Sequence, residues 1–364
     1  MTKNNDQDLL DRLRLIRSAN IGPITYFQLI QRFGTARAAL DALPHLAARG
    51  GGKVPRIAEM GAISKEVEAV QRLGARYLFL GQGLYPALLA ELDSAPPALI
   101  VRGDLRILER PAIAIVGARN ASAAACRFAR DLGRGLAEEG VLVVSGLARG
   151  IDTAAHQGAV SRSTAGVIAS GIDITYPPEN AALQEEVATK GVLIAEQPPG
   201  TEPLARHFPY RNRIIAGMSL GTVIVEAAPK SGSLITARLA AEAGREVMAV
   251  PGSPLDPRAQ GCNALIRDGA TLVQSVADVL ETIRPIAASM LGAPSHPFRA
   301  EQVSADASDT DRRVVGDLLS HAPVPVDEII RQSGLSPSTV QTVLLELELG
   351  GRLERHAGAK VSLA

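Results

Sequence analysis

The chain has 364 residues, enough for two or three domains and a large buried core, and its 38 Lys and Arg balance 38 Asp and Glu, a formal net charge of zero. That balance excludes a generally polycationic nucleic-acid binder while allowing a local basic patch, and 46% hydrophobic against 21% charged residues excludes a disordered chain. Aromatics at 3% without a single Trp argue against a surface built mainly on stacking rings.

The N-terminus, MTKNNDQDLL, is polar and lacks the apolar core of a signal peptide. No stretch approaches the roughly 20 apolar residues of a membrane span, so a cytoplasmic protein without membrane contact is expected. Within 8–80, Leu9, Leu10, Leu13 and Ile16 recur at helical spacing until Ile21-Gly22-Pro23 breaks the run. A second amphipathic run carries Tyr26, Leu29, Ile30 and Phe33 before Gly34. Helix, Gly-containing turn, helix is the plan of a small packing domain and also of a helix-hairpin-helix module, whose turn amides can meet phosphates. Helical pairs mostly just pack, which favours the first reading for 1–82.

From Pro111 the texture changes. AIAIV (112–116), VLVVS (141–145), GVIAS (166–170), VLIAE (192–196), TVIVE (222–226) and EVMAV (246–250) each read as a strand buried on both faces. Helical stretches at 122–138, 179–189 and 233–243 separate most of them, the signature of an α/β domain with a doubly wound parallel sheet, placed at 83–284. Residues 285–310 mix Pro, Ser, Ala and Gly without periodicity and read as a linker. Beyond it, 311–364 gives helix, helix, turn, helix and a terminal hairpin with Gly358 at its tip, a winged-helix pattern. There is no internal repeat. Cys126, expected to be buried on the helix after the first strand, and Cys262 belong to no CxxC pair and no His cluster, so neither metal nor disulfide is expected.

In an open parallel sheet, ligands sit at the carboxyl ends of the strands. After the first come Gly117 and Arg119, with Ser122 as a helix N-cap; after the second, Ser145, Gly146, Arg149 and Gly150; after the fifth, Lys230, Ser231, Gly232 and Ser233. Glycine admits a ligand close to the backbone, helix N-termini offer free amides, and Arg or Lys supplies charge, which together describe an anion site suited to phosphate. No GxxxxGK[ST] or GxGxxG occurs, so ATP and NAD both lose ground and no cofactor is expected. Arg206, Arg211, Asn212 and Arg213 fall in a segment, 203–225, that contains no acid. Arginines beside a glycine-lined pocket suit a ligand with several phosphates. Asp152, His156 and Ser145 invite a Ser-His-Asp reading, but Asp152 opens a helix and Ser145 lies in no GxSxG elbow, so a structural role is expected of them.

These segments resemble the DprA family, also called Smf. The resemblance is carried by Val116-Gly-Ala-Arg119, Ser145-Gly-Leu-Ala-Arg-Gly-Ile-Asp152 with Ala155-His156, and Phe208-Pro-Tyr-Arg-Asn-Arg-Ile-Ile-Ala-Gly217. Val225-Glu-Ala227 with Lys230-Ser-Gly-Ser-Leu-Ile-Thr-Ala237, and Val250-Pro-Gly-Ser253 with Gly261-Cys-Asn263, complete it, with Met218 where a Leu is commoner. The resemblance implies an extended Rossmann-like fold flanked by a helical domain of the sterile-alpha-motif or helix-hairpin-helix kind and a winged helix. It implies a homodimer that binds and shields single-stranded DNA during natural transformation and loads the RecA recombinase, without being an enzyme. It carries over a site at Arg119 and Lys230, with Arg211, Arg213, Arg149 and the amides around Gly146 and Ser231 to Ser233. The full DNA- or phosphate-binding set is then Gly117, Arg119, Ser145, Gly146, Arg149, Gly150, Arg211, Asn212, Arg213, Lys230, Ser231, Gly232, Ser233 and Thr236.

Two other classes compete. Gly221-Thr-Val-Ile-Val-Glu226 is similar to the GTxxE of Rossmann-like nucleotide phosphoribohydrolases of the lysine-decarboxylase-like family, but the preceding PGG is replaced by Ala216-Gly217-Met218-Ser219-Leu220. A winged-helix transcription regulator is the other. Its recognition stretch, Ser336 to Leu349, carries Glu346 and Glu348 and no Lys or Arg, a poor groove reader.

Overall fold

A computed structural model describes residues 3–292, 306–356 and 358–364. The chain begins with helices α1 (Lys3–Ile16), α2 (Pro23–Phe33), α3 (Ala36–Arg49) and α4 (Met60–Arg72). There follow β1 (Arg76–Phe79), α5 (Ala87–Ala90), β2 (Ala98–Gly103), β3 (Ala112–Gly117), α6 (Ala123–Glu138), β4 (Leu142–Ser145), α7 (Ile151–Ala159) and β5 (Thr164–Gly171). Next are α8 (Ala181–Lys190), β6 (Val192–Gln197), α9 (His207–Gly217), β7 (Gly221–Val225), α10 (Gly232–Glu242), β8 (Glu246–Ala249), α11 (Gln260–Arg267), β9 (Thr271–Leu272) and α12 (Val276–Gly292). The last segment holds α13 (Asp309–Asp317), β10 (Val324–Pro325), α14 (Val326–Ser333), α15 (Pro337–Leu349), β11 (Leu353–His356) and β12 (Lys360–Leu363). The chain divides into two compact units, Met1–Lys65 with His296–Ala364, and Glu66–Ser295.

The second unit is built on a nine-stranded sheet ordered β1-β2-β6-β5-β4-β3-β7-β8-β9. From β6 to β9 every neighbouring pair is parallel, as the continuous apolar runs predict, while β1 and β2 add an antiparallel edge beside β6. Helices cover both faces, and each face buries its own apolar cluster. Val116, Val144, Val167 and Ile194 point to one, and Ile113, Ile115, Val143 and Val223 to the other. The strand order reverses between β3 and β7, which pair with Gly117 opposite Val225. The carboxyl ends there flank the crevice where such sheets bind ligands.

Three features depart from the sequence reading. β1 already belongs to the sheet, ahead of the boundary expected at 82. Helix α12 runs through Pro285 to Gly292, so the expected linker begins as helix; Val279, Leu280 and Ile283 anchor it on the sheet core, and Ile286 and Ala287 pack after the proline. The remainder of that linker, 293–305, lies outside the described residues. Cys126 is half-buried rather than buried.

In the other unit the helical N-terminal segment and the winged helix each have a core, and α15 contributes to both. Helix α15 starts at Pro337 behind Ser336, whose side chain accepts from the Thr339 amide at 3.1 Å, and its buried residues lie on every side of it. Val340, Val343, Leu344 and Leu347 face the winged-helix core, and Leu345 and Leu349 pack with Leu15, Ile21, Leu29, Leu43 and Leu46 of the N-terminal helices. A helix buried on all sides needs this composition. The approach is close: a Cβ on Gly50 would lie 2.0 Å from the Glu346 carbonyl oxygen. The segments expected as separate end domains are therefore one packing unit.

Candidate nucleic-acid interface

The site grows from the loop after β3. Backbone at Gly117 runs so close to β7 that a Cβ would meet the Val225 carbonyl at 1.9 Å, so this glycine serves strand packing rather than ligand approach. Ala118 donates its amide to the Glu226 carbonyl at 2.7 Å and Ile151 donates to the Ala118 carbonyl at 3.3 Å. Gly150, at φ 75, caps α7 in a left-handed conformation, and a side chain there would strike the Ala118 and Arg119 carbonyls. Between these fixed points Arg119 is exposed, with its guanidinium carbon 5.1 Å from the centroid of the Phe208 ring. Phe208 lies 5.9 Å from the Tyr176 ring, which is 44% exposed. A cation held over one ring beside a second is a surface suited to a nucleobase and its phosphate together.

Sequence reasoning missed this aromatic patch because rings are scarce overall. The signal was local: Phe208 and Tyr210 lie inside the acid-free basic segment, where α9 forms and leaves Arg206 and Tyr210 exposed at its start. On the neighbouring strand end, Lys230 is exposed and has no ion pair among the described residues. It precedes α10, whose N-cap Ser231 accepts from the Ser233 amide and bonds the Ser233 hydroxyl at 2.8 Å. Gly232 faces open space, and Ser233 and Thr236 are buried on the helix behind it. Asn212 is half-buried on α9.

Several expected ligands are instead internal. Ser145 is fully buried and its hydroxyl donates to the Ile115 carbonyl at 2.6 Å, tying β4 to β3. The Gly146 amide donates to Asp152 at 3.1 Å, so it is not a free phosphate donor. Gly146 has no side chain because the Arg211 guanidinium occupies that place, 1.2 Å from where a Cβ would be. Arg211 is 6% exposed, 3.9 Å from Asp152 and donating to the Val167 carbonyl at 3.4 Å, a buried charge pair rather than a surface cation. Burial pushes Asp152 up and Arg211 down from their ordinary values, each opposed by the other's charge. Arg213 is also buried, bound to Glu196 at 2.6 Å and to the Ser94 carbonyl. Arg149 is exposed but ion-paired with Glu179. Arg211 and Arg213 are expected at the phosphates from the sequence because it gives their charge but not their burial.

Ser145, Asp152 and His156 make no chain of hydrogen bonds. His156 Nδ1 meets Thr164 Oγ1 at 2.8 Å, and burial holds its pKa down to about 3, so the ring is neutral. Glu226 takes a left-handed backbone, φ 57, and its carboxylate accepts from the Ser122 amide at 2.7 Å. In the other unit, α15 has no face left to enter a groove. Glu346 is fully buried against Arg312, at 2.7 and 3.0 Å, and Glu348 pairs with Arg355 at 2.8 Å. No group of His, Cys, Asp or Glu among the described residues could hold a metal, and none of the described helices is long and apolar enough to cross a membrane.

Comparison with known proteins bears on this geometry. The family model for DNA recombination-mediator protein A matches residues 76–284, a DprA-like N-terminal HHH domain matches 6–69, and a DprA winged helix domain matches 299–359. The DNA processing protein DprA of Streptococcus pneumoniae is 45% identical over 198 residues, 54% of this chain and 70% of that protein. Its X-ray structure superposes with a TM-score of 0.58 and 41% identity, covering 62% of this chain and 78% of the other. DNA processing protein A of Helicobacter pylori, solved for its single-stranded DNA binding mode, gives 0.53 and 28% identity over 58% of this chain and 97% of the other.

Proposed function

The chain belongs to the DNA recombination-mediator protein A family, and from that premise we propose that it binds single-stranded DNA along the rim between β3 and β7. The observation that carries this reading is the exposed Arg119 seated over Phe208 beside Tyr176, with Lys230 on the adjoining strand end. Arg119 and Lys230 neutralise phosphates, and the two rings take unstacked bases, which a duplex keeps out of reach. The likeness to the Helicobacter pylori protein supports the same choice of ligand. Binding is the whole of the proposed chemistry; no reaction is assigned. Protection of the bound strand, action as a homodimer and delivery of the strand to RecA, in the cytoplasm, are the wider role we propose for it. The burial of α15 counts against duplex reading by the winged helix.

A mobility-shift titration of the full chain with mixed-sequence single-stranded and duplex oligonucleotides tests the proposal. Single strands should bind more tightly, with log affinity falling against log salt by about 0.7 for each phosphate neutralised. A flat salt response, or preference for duplex, would sink it. The same preparation incubated with AMP should release no adenine.

A further inference from the structure

Glu226 is out of place by charge: an acid at the end of β7, four residues before Lys230, on a rim that would hold phosphates. Its backbone is left-handed, φ 57, a conformation uncommon for a residue with a side chain and one that concentrates at functional sites. Two of its acceptor oxygens are spent on one loop. The carbonyl accepts from Ala118 N at 2.7 Å and carboxylate Oε2 accepts from Ser122 N at 2.7 Å. Those two amides bracket the three-residue stretch that contains Arg119. The carboxylate is largely shielded, its side chain 11% exposed, with Arg258 Nε 3.8 Å away. From the opposite side, Gly150 and Ile151 press on the carbonyls of the same loop.

We propose that Glu226 is a positioning residue: it clamps the 118–122 loop at both ends and so holds Arg119 over Phe208, ready for the strand. This rests on the proposed single-strand site and adds to it the residue that organises its main cation. The left-handed turn lets one residue present carbonyl and carboxylate to the same loop. An extended residue at that position points them apart.

Charge and position predict opposite signs, which makes the inference testable on the full-length protein. Glu226→Gly keeps the left-handed backbone without steric cost and removes the carboxylate. Glu226→Gln removes the charge but keeps an oxygen that accepts from Ser122. If Glu226 positions Arg119, the Gly variant binds single strands more weakly, by up to the loss from Arg119→Ala itself, about tenfold. The Gln variant binds as tightly as the parent or more so. In the Arg119→Ala background, Glu226→Gly should cost nothing further, and its own salt slope should fall toward that of Arg119→Ala. Thermal melting of each variant confirms that the fold is intact. The inference is overturned if Glu226→Gly binds as well as or better than the parent, if Gln fails to rescue, or if the two losses multiply. Normal binding by Arg119→Ala alone overturns the single-strand site itself, a separate and recognisable result.

Discussion

At the residue scale, the site separates cations that can meet a ligand from cations that hold the fold. Arg119 and Lys230 are exposed and Arg211 and Arg213 are buried with acids. Losing one charge-assisted phosphate contact costs about 1.5–3 kcal/mol. Arg119→Ala and Lys230→Ala should therefore bind single strands roughly tenfold or more weakly while melting like the parent. Arg211→Ala should behave in the reverse sense. It leaves Asp152 buried without its partner, a loss of about 3–5 kcal/mol of stability, visible as a lowered melting temperature. Parent-like melting of Arg211→Ala together with a selective binding defect would return Arg211 to the site.

At the element scale, α15 marks the difference between a winged-helix pattern and a winged-helix activity. Its sequence, PSTVQTVLLELEL, has no cation for phosphates, and the structure spends its surface on two apolar cores. Glu346 is the polar exception. Fully buried, it is tolerated because Arg312 meets it with two hydrogen bonds, with Arg49 3.9 Å away. Glu346→Ala should cost about 3 kcal/mol or more, read in chemical denaturation of the full chain. Replacing both partners, Glu346→Leu with Arg312→Met, should restore most of it, since apolar residues of similar size can substitute for a buried pair. A Glu346→Ala protein as stable as the parent would mean that α15 is not packed in this way.

At the scale of the whole molecule, domain limits follow packing rather than sequence texture. A fragment ending near Arg284 cuts α12 midway and strips Leu15, Ile21 and Leu46 of the cover that Leu345 and Leu349 provide. It should melt at lower temperature than the full chain and aggregate through that face. A fragment spanning 66–292 keeps the sheet, both of its cores and the complete α12. It should fold and bind single strands with the salt slope of the parent. Loss of binding by a folded 66–292 fragment would move the DNA site to the other unit.

The sequence by itself determined the parallel sheet, because strands buried on both faces leave unbroken Val and Ile runs, as at 112–116 and 222–226. It also placed Arg119 and Lys230 just beyond those runs, and topology then brought β3 beside β7. Antiparallel β1 and β2 escaped notice because only the four-residue helix α5 lies between them. Only the tertiary structure decided which charges face solvent. Arg211 and Arg119 are the same residue type and each is followed by Asn, yet the side chain missing from Gly146 gives Arg211 a buried seat against Asp152. Partner choice of this kind is set by residues distant along the chain, so no local pattern can carry it. The same holds for Glu226, whose partners are two amides more than a hundred residues upstream.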